Sequence, residues 1–188
     1  MNAIPISTII LLMGFSGLVA ACVSDVRERL IYNEIVIFVL GTGIALRLIS
    51  TPHLIWASLL IAPCLLVALG QLARFNIIGG GDAKLIAAAM LLLPPQRDAW
   101  LLAHIAAAGG VLSCIYLVAR TGLRRGILTP AWAQPNPSKE KSNNTIIHEL
   151  ARIRAGEPMP YALAILAGTA YTLSTEAVQC ISATSCSL

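Results

Sequence analysis

The chain has 188 residues, of which 57% are apolar and only 12% are charged. Soluble domains carry about 25% charged residues, so this composition excludes an ordinary soluble enzyme and a disordered chain. The net charge is +4, but the basic residues lie in the gaps between long apolar runs, which argues for a lipid bilayer and against nucleic acid as the partner. The composition therefore predicts an all-α polytopic membrane protein.

Six apolar segments follow one another along the chain, and a membrane-spanning helix needs roughly 20 such residues. The segments are 3–23, 35–49, 54–72, 83–93, 99–119 and 159 to about 181. The fourth is short and stops at two prolines, and Arg47 in the second is expected to snorkel to the nearer membrane surface. We therefore expect one integral-membrane domain over residues 1–188, with about six transmembrane helices.

The basic residues between these segments predict the orientation of the chain. Eleven of the 13 Lys and Arg residues fall in the connections after segments one, three and five. Because cytoplasmic loops are enriched in Lys and Arg, both termini are expected outside the cytoplasm. Residues 121–158 then form a cytoplasmic loop, in which Ile146, Ile147, Leu150 and Ile153 share one face of a short surface helix.

Two aspartates adjoin apolar segments on this cytoplasmic side. Asp25 follows the first segment, and Asp82 precedes the fourth. Two close carboxylates share a proton, because both cannot easily ionise together. Such a pair can activate water and protonate a leaving amine, which are the two steps of peptide hydrolysis. The spacing therefore predicts a catalytic dyad that titrates as a unit.

Simpler interpretations of both aspartates stay open at this stage. Asp25 could pair with Arg27 or Arg29 in a solvated loop, and Asp82 could cap the fourth helix. The three glycines before Asp82 argue against a plain cap, since consecutive glycines cost backbone entropy and allow another chain to approach closely.

Other polar residues offer weaker candidate sites. Glu34 and Glu176 are expected at the membrane interface, and His104 is expected to be packed and hydrogen-bonded. The three histidines are too scattered to predict a metal site, and no cofactor is expected.

The motifs around the two aspartates resemble those of the type IV prepilin peptidases. That family has a first aspartate followed by an Arg-rich turn ending in Ile-Pro-Asn, and a second in a G-x-G-D-x-K motif. Residues 25–33 resemble the first motif with Tyr32 in place of proline, and residues 79–85 match the second. Residues 159–165 resemble a third motif, with Ala162 where glycine is usual.

The resemblance implies roles for further residues. Asp25 and Asp82 would be catalytic, and the supporting or substrate-binding residues would be Gly79, Gly80, Gly81, Lys84, Arg27, Arg29, Asn33, Pro160 and Tyr161. We hypothesise that Lys84, with Arg27 or Arg29, tunes the dyad or orients the substrate.

The resemblance also implies an activity. It suggests an aspartic endopeptidase of the bacterial inner membrane that removes a short basic leader from prepilin or pseudopilin precursors at the cytoplasmic face. Long family members carry paired C-x-x-C motifs associated with N-methylation. This chain has none, so it resembles the short form that serves tight-adherence (Flp-type) pili. The alternatives are a small proton- or cation-coupled transporter or channel subunit using the same aspartates, and an assembly subunit without catalysis.

Overall fold

The computed structural model describes residues 5–75, 78–124 and 159–182, and every regular element within them is a helix. The six α-helices are α1 (Ile6–Glu28), α2 (Asn33–Ser50), α3 (Ile55–Arg74), α4 (Gly80–Met90), α5 (Asp98–Arg124) and α6 (Ala162–Ser182). Short 3-10 turns at Pro52–Leu54 and Pro95–Arg97 precede α3 and α5. The predicted surface helix of the cytoplasmic loop lies outside the described residues.

Four segments of the described chain are long and apolar enough to cross a membrane: Ile6–Glu28, Asn33–Ser50, Pro52–Arg74 and Pro95–Gly122. The chain is therefore a multi-pass membrane protein. By contrast, α4 has 11 residues, a length of about 16 Å, whereas the hydrocarbon core is about 30 Å thick. The fourth predicted segment is a helix but too short to cross, so the expected six spans are not confirmed. The orientation of the termini stays a prediction.

The described chain divides into two compact units, residues 1–108 with 160–188, and residues 109–159. The core of the first unit surrounds α4, in which every side chain from Leu85 to Leu93 is buried. A helix that is apolar on all sides belongs in an interior, and α2 and α3 both pack against it. The exposed apolar side chains of α3, such as Trp56, Leu60 and Val67, are suited to face lipid.

The turn between α1 and α2 is short and closely fixed. Arg29 takes a left-handed conformation with φ 57°, and its N–H bonds to the Asp25 carbonyl, which ends α1. The Ser24 hydroxyl donates to the Leu30 carbonyl at 2.5 Å. Tyr32 has a φ of −69°, which is the value that proline would impose, and its hydroxyl donates to Glu28. Tyr32 therefore has the backbone φ that a proline at this position would also adopt.

The interior of the first unit contains the charged side chain of Arg47, which was expected at the membrane surface. The predicted snorkelling of Arg47 is wrong, because this side chain is only 3% exposed. Its Nε donates to the Leu91 carbonyl at 3.0 Å, and its Nη1 donates to Thr51 Oγ1 at 3.1 Å. The guanidinium finds hydrogen-bond partners inside the protein, so it has no need to reach the membrane surface.

Candidate active site

Asp25 lies in the last turn of α1, because this helix continues five residues beyond the predicted apolar segment. The side chain is only 7% exposed, and its Oδ2 accepts a hydrogen bond from the Ala162 N–H at 3.1 Å. The interpretation of Asp25 as a residue of a solvated loop is therefore wrong. The backbone at the start of α6 directly contacts this carboxylate.

Asp82 is the third residue of α4 and is half-buried, whereas Gly79 occupies the N-cap position. Asp82 is thus not the N-cap residue, although its carboxylate accepts a hydrogen bond from the Gly79 N–H. Burial first, and then the charge of Asp25, raise the pKa of Asp82 from 3.8 to about 6, against the lowering effect of the Gly79 N–H.

The folded chain brings the two aspartates together from helices far apart in sequence. Asp25 is near enough for its charge to act on Asp82, which lies outside the four candidate spans. Each carboxylate also accepts one backbone N–H, from Ala162 and from Gly79 respectively. The arrangement can hold one proton between two acids, which is the requirement for activating water and then protonating a leaving group.

The three glycines before Asp82 have different surroundings. A Cβ added at Gly79 would lie 2.5 Å from Asp82 Oδ2, so only glycine leaves room for this carboxylate. A Cβ at Gly81 would lie 3.2 Å from Ile31 Cβ, in the turn after α1. A Cβ at Gly80 would meet nothing within 4 Å, so this position is open. Gly79 and Gly81 therefore permit close packing, and Gly80 leaves space beside the pair.

Lys84 and Asn33 join the two family-like motifs. Lys84 is exposed, and its Nζ donates to Asn33 Oδ1 at 3.1 Å. Because Asn33 begins α2 and Lys84 lies in the second turn of α4, this bond joins those two helices beside the aspartates.

The remaining predicted residues fall into two groups. Pro160 is buried and Tyr161 is half-buried just before α6, where burial first and then the charge of Asp82 raise the pKa of the phenol. Tyr161 is therefore brought to the site. Arg27 is exposed in the last turn of α1, and Arg29 is half-buried in the turn that follows.

Sequence reasoning missed Ala162 as a functional position. Its N–H is the hydrogen-bond donor to Asp25, but a backbone donor leaves no signature in residue type. The only signal was the third family-like motif. Among residues 5–75, 78–124 and 159–182, no three metal-ligating side chains come together.

The chain matches a family model described as the type IV leader peptidase family over residues 12–128. This range contains both aspartates, the glycine-rich motif and α1 to α5 almost entirely. Searches of curated proteins and of solved structures found no match.

Proposed function

The chain belongs to the type IV leader peptidase family and is a protease, and from this premise we propose its chemistry and specificity. We propose an aspartic endopeptidase of the bacterial inner membrane, acting as one domain over residues 1–188. It removes the short basic leader of Flp-like prepilins at the cytoplasmic face and does not methylate the new terminus.

The observation that carries the proposal is the electrostatic contact between Asp25 and Asp82. In this proposal the pair shares one proton, so one carboxylate accepts a proton from water while the other carries the proton that the leaving amine needs. The water oxygen bonds to the carbonyl carbon of the peptide bond that joins the leader to the mature pilin. The carbon–nitrogen bond then breaks, the amine takes the proton of the pair, and no cofactor is consumed.

Backbone donors prepare the pair for this exchange. The Ala162 N–H and the Gly79 N–H each bond one carboxylate, which orients the two groups. Preorganised donors of this kind lower a barrier because they need no rearrangement during the reaction. Tyr161 lies close enough to Asp82 to interact with its charge.

The proposed substrate is suited to the surroundings of the pair. An extended peptide can approach at Gly80, where no atom lies within 4 Å of an added Cβ. The apolar segment that follows a leader can remain in the bilayer beside the exposed apolar faces of the helices. In this proposal Lys84, Asn33, Arg27, Arg29 and Pro160 hold the substrate or the pair in place.

Cleavage of a pilin-like precursor in membranes tests the function. The proteins compared are the wild type, Asp25→Asn, Asp82→Asn and the control Glu34→Gln, which neutralises an exposed carboxylate in the first turn of α2. Both Asn variants should lose cleavage by about 10²-fold or more while folding and inserting normally. The control should cut at nearly the wild-type rate.

A normal rate in either Asn variant would overturn the dyad, and proton-coupled transport would then be the function to test. The absence of methylation has its own experiment. Purified protein is incubated with a pilin-like precursor and radiolabelled S-adenosylmethionine, and label in the mature pilin would contradict the proposed short-form activity.

A further inference from the structure

A second polar cluster lies at the other end of α4 from Asp82, around Arg47. This side chain is almost fully buried and donates to the Leu91 carbonyl and to Thr51 Oγ1. Leu91 is the residue directly after α4. The carbonyls at the end of a helix lack partners within the helix and carry partial negative charge, so a guanidinium there satisfies and stabilises them.

Acidic groups balance the buried charge of Arg47. It interacts electrostatically with Asp98 and with Glu176, and Asp98 is itself buried at the first residue of α5. Glu176 on α6 also pairs with Arg97 at 3.4 Å. Removing one member of a buried charged group leaves the others uncompensated, so this cluster resists rearrangement.

The same helix, α2, contacts α4 at both of its ends. Near Asp82, Asn33 of α2 accepts the hydrogen bond from Lys84. At the far end, Gly43 of α2 approaches so closely that an added Cβ would lie 2.6 Å from Leu91 Cβ and 3.1 Å from its carbonyl carbon. Arg47 lies one turn beyond Gly43 on the same face of α2. The far contact is buried, whereas the near contact is exposed.

We infer that Arg47 is a positioning residue for catalysis, which holds the end of α4 so that Asp82 meets Asp25. This inference rests on the proposed function and adds a residue outside all three motifs. An 11-residue helix transmits a displacement at one end to the other. Gly79 at the N-cap of α4 supplies no capping side chain, whereas the other end is buried and bonded to Arg47, so the buried end fixes the helix.

The contact requires arginine in particular. Its guanidinium donates from Nε to one partner and from Nη1 to another, while a lysine ammonium is a single point donor with different reach. Arg47→Lys keeps the charge and should restore part of the effect. Arg47→Met keeps the bulk of the side chain but removes both donors.

Hydrogen–deuterium exchange of the purified protein tests the contact without relying on cleavage. Arg47→Met should increase exchange over residues 85–93 by about tenfold, since a buried carbonyl loses its partner, while α1 exchanges as in the wild type. In Arg47→Lys, the exchange rate over residues 85–93 should lie between those of the wild type and Arg47→Met. The control Arg97→Met removes the charge that pairs with Glu176 at the same end and should raise this exchange much less than Arg47→Met, whose donor to Leu91 is lost.

Cleavage assays supply the catalytic half of the test. For Arg47→Met we expect kcat to fall about tenfold with KM within twofold of the wild type. The pH of half-maximal cleavage should also shift, because Asp82 moves relative to Asp25. The other titratable groups at the pair are unchanged by the variant: Cys22 on α1, Lys84 on α4 and Tyr161 before α6.

Three outcomes separate the possibilities. Faster exchange in all helices, with an unshifted pH profile, would mean general destabilisation and would overturn the inference. Unchanged exchange over residues 85–93 would overturn it too. If the wild-type protein fails to cut any pilin-like precursor, the proposed function fails, and the exchange pattern alone decides whether Arg47 fixes α4.

Discussion

Three consecutive glycines, the first of them the N-cap, and a half-buried aspartate begin α4, whereas at its last turn every side chain is buried and the carbonyl of the next residue, Leu91, is bound by an arginine. The first turn is polar, and a Cβ added at Gly80 would meet no neighbouring atom of the described residues within 4 Å. The last turn is closely packed against Gly43. The difference shows that close packing stabilises this short helix at one end, while its polar residues lie at the other. The packed end can offset the free energy that the polar end costs.

Gly79→Ala should disturb the polar N-terminal end of α4 more than any other single change to its glycines. Its Cβ would lie 2.5 Å from Asp82 Oδ2, so the carboxylate must leave its observed position. Displacing a reacting group by about 1 Å costs up to about 10²-fold in rate, and we expect kcat to fall by that order. Gly80→Ala, where an added Cβ meets no described atom within 4 Å, should lower kcat much less and act mainly on KM, because the substrate is proposed to approach there. Equal losses for the two variants in the cleavage assay would contradict this.

The packed end can be broken with Gly43→Ala. The new Cβ would lie 2.6 Å from Leu91 Cβ, so α2 and α4 must separate, and overpacking of this kind costs about 1–3 kcal/mol. The matched control is Gly41→Ala on the same helix, where an added Cβ meets nothing within 4 Å. Thermal unfolding in detergent should show a lower midpoint for the first variant only. A midpoint that falls equally in both would mean that helix flexibility matters and packing does not.

The pH dependence of stability reports how much free energy it costs to bury ionised Asp82 at the polar end of α4. The pKa of Asp82 is about 6 in the folded protein and 3.8 as its ordinary value, so folding favours the protonated acid. This stabilising contribution is complete below the ordinary pKa and is lost as the pH rises through about 6. Relative to Asp82→Asn, the wild-type unfolding midpoint should therefore fall between about pH 4 and about pH 7. A constant difference between the two proteins would contradict the shift.

The sequence predicted most of the helices and identified the two aspartates as the candidate pair. Apolar segment lengths located α1, α2, α3 and α5, but the separation of Asp25 and Asp82 could not be predicted, because it depends on how helices distant in sequence pack together. The buried position of Arg47 was missed, because snorkelling assumes a neighbouring lipid, and the Leu91 carbonyl is 44 residues away in sequence. The apolar segment also predicted a longer α4 than the structure has. Residues 91–93 are equally apolar, but they form tight turns after the helix ends.

The smallest expected effect tests the bond between Lys84 and Asn33. Both residues are exposed, so their hydrogen bond should contribute less than about 1 kcal/mol, and Lys84→Ala should lower cleavage by about two- to threefold. Asn33→Ala should have a similar effect, and the double variant should be no worse than either single one. Additive losses would instead mean that Lys84 and Asn33 contact the substrate separately.

The hydrogen bond from Ala162 to Asp25 has a consequence for how this site is mapped by mutation. An alanine scan leaves the bond intact, because the donor belongs to the main chain and is present in every residue except proline. The same fact explains why alanine at this position can replace the glycine of the related motif without loss of the donor. Replacing the amide itself, by proline or by an ester linkage, is the substitution that would reveal its share of catalysis.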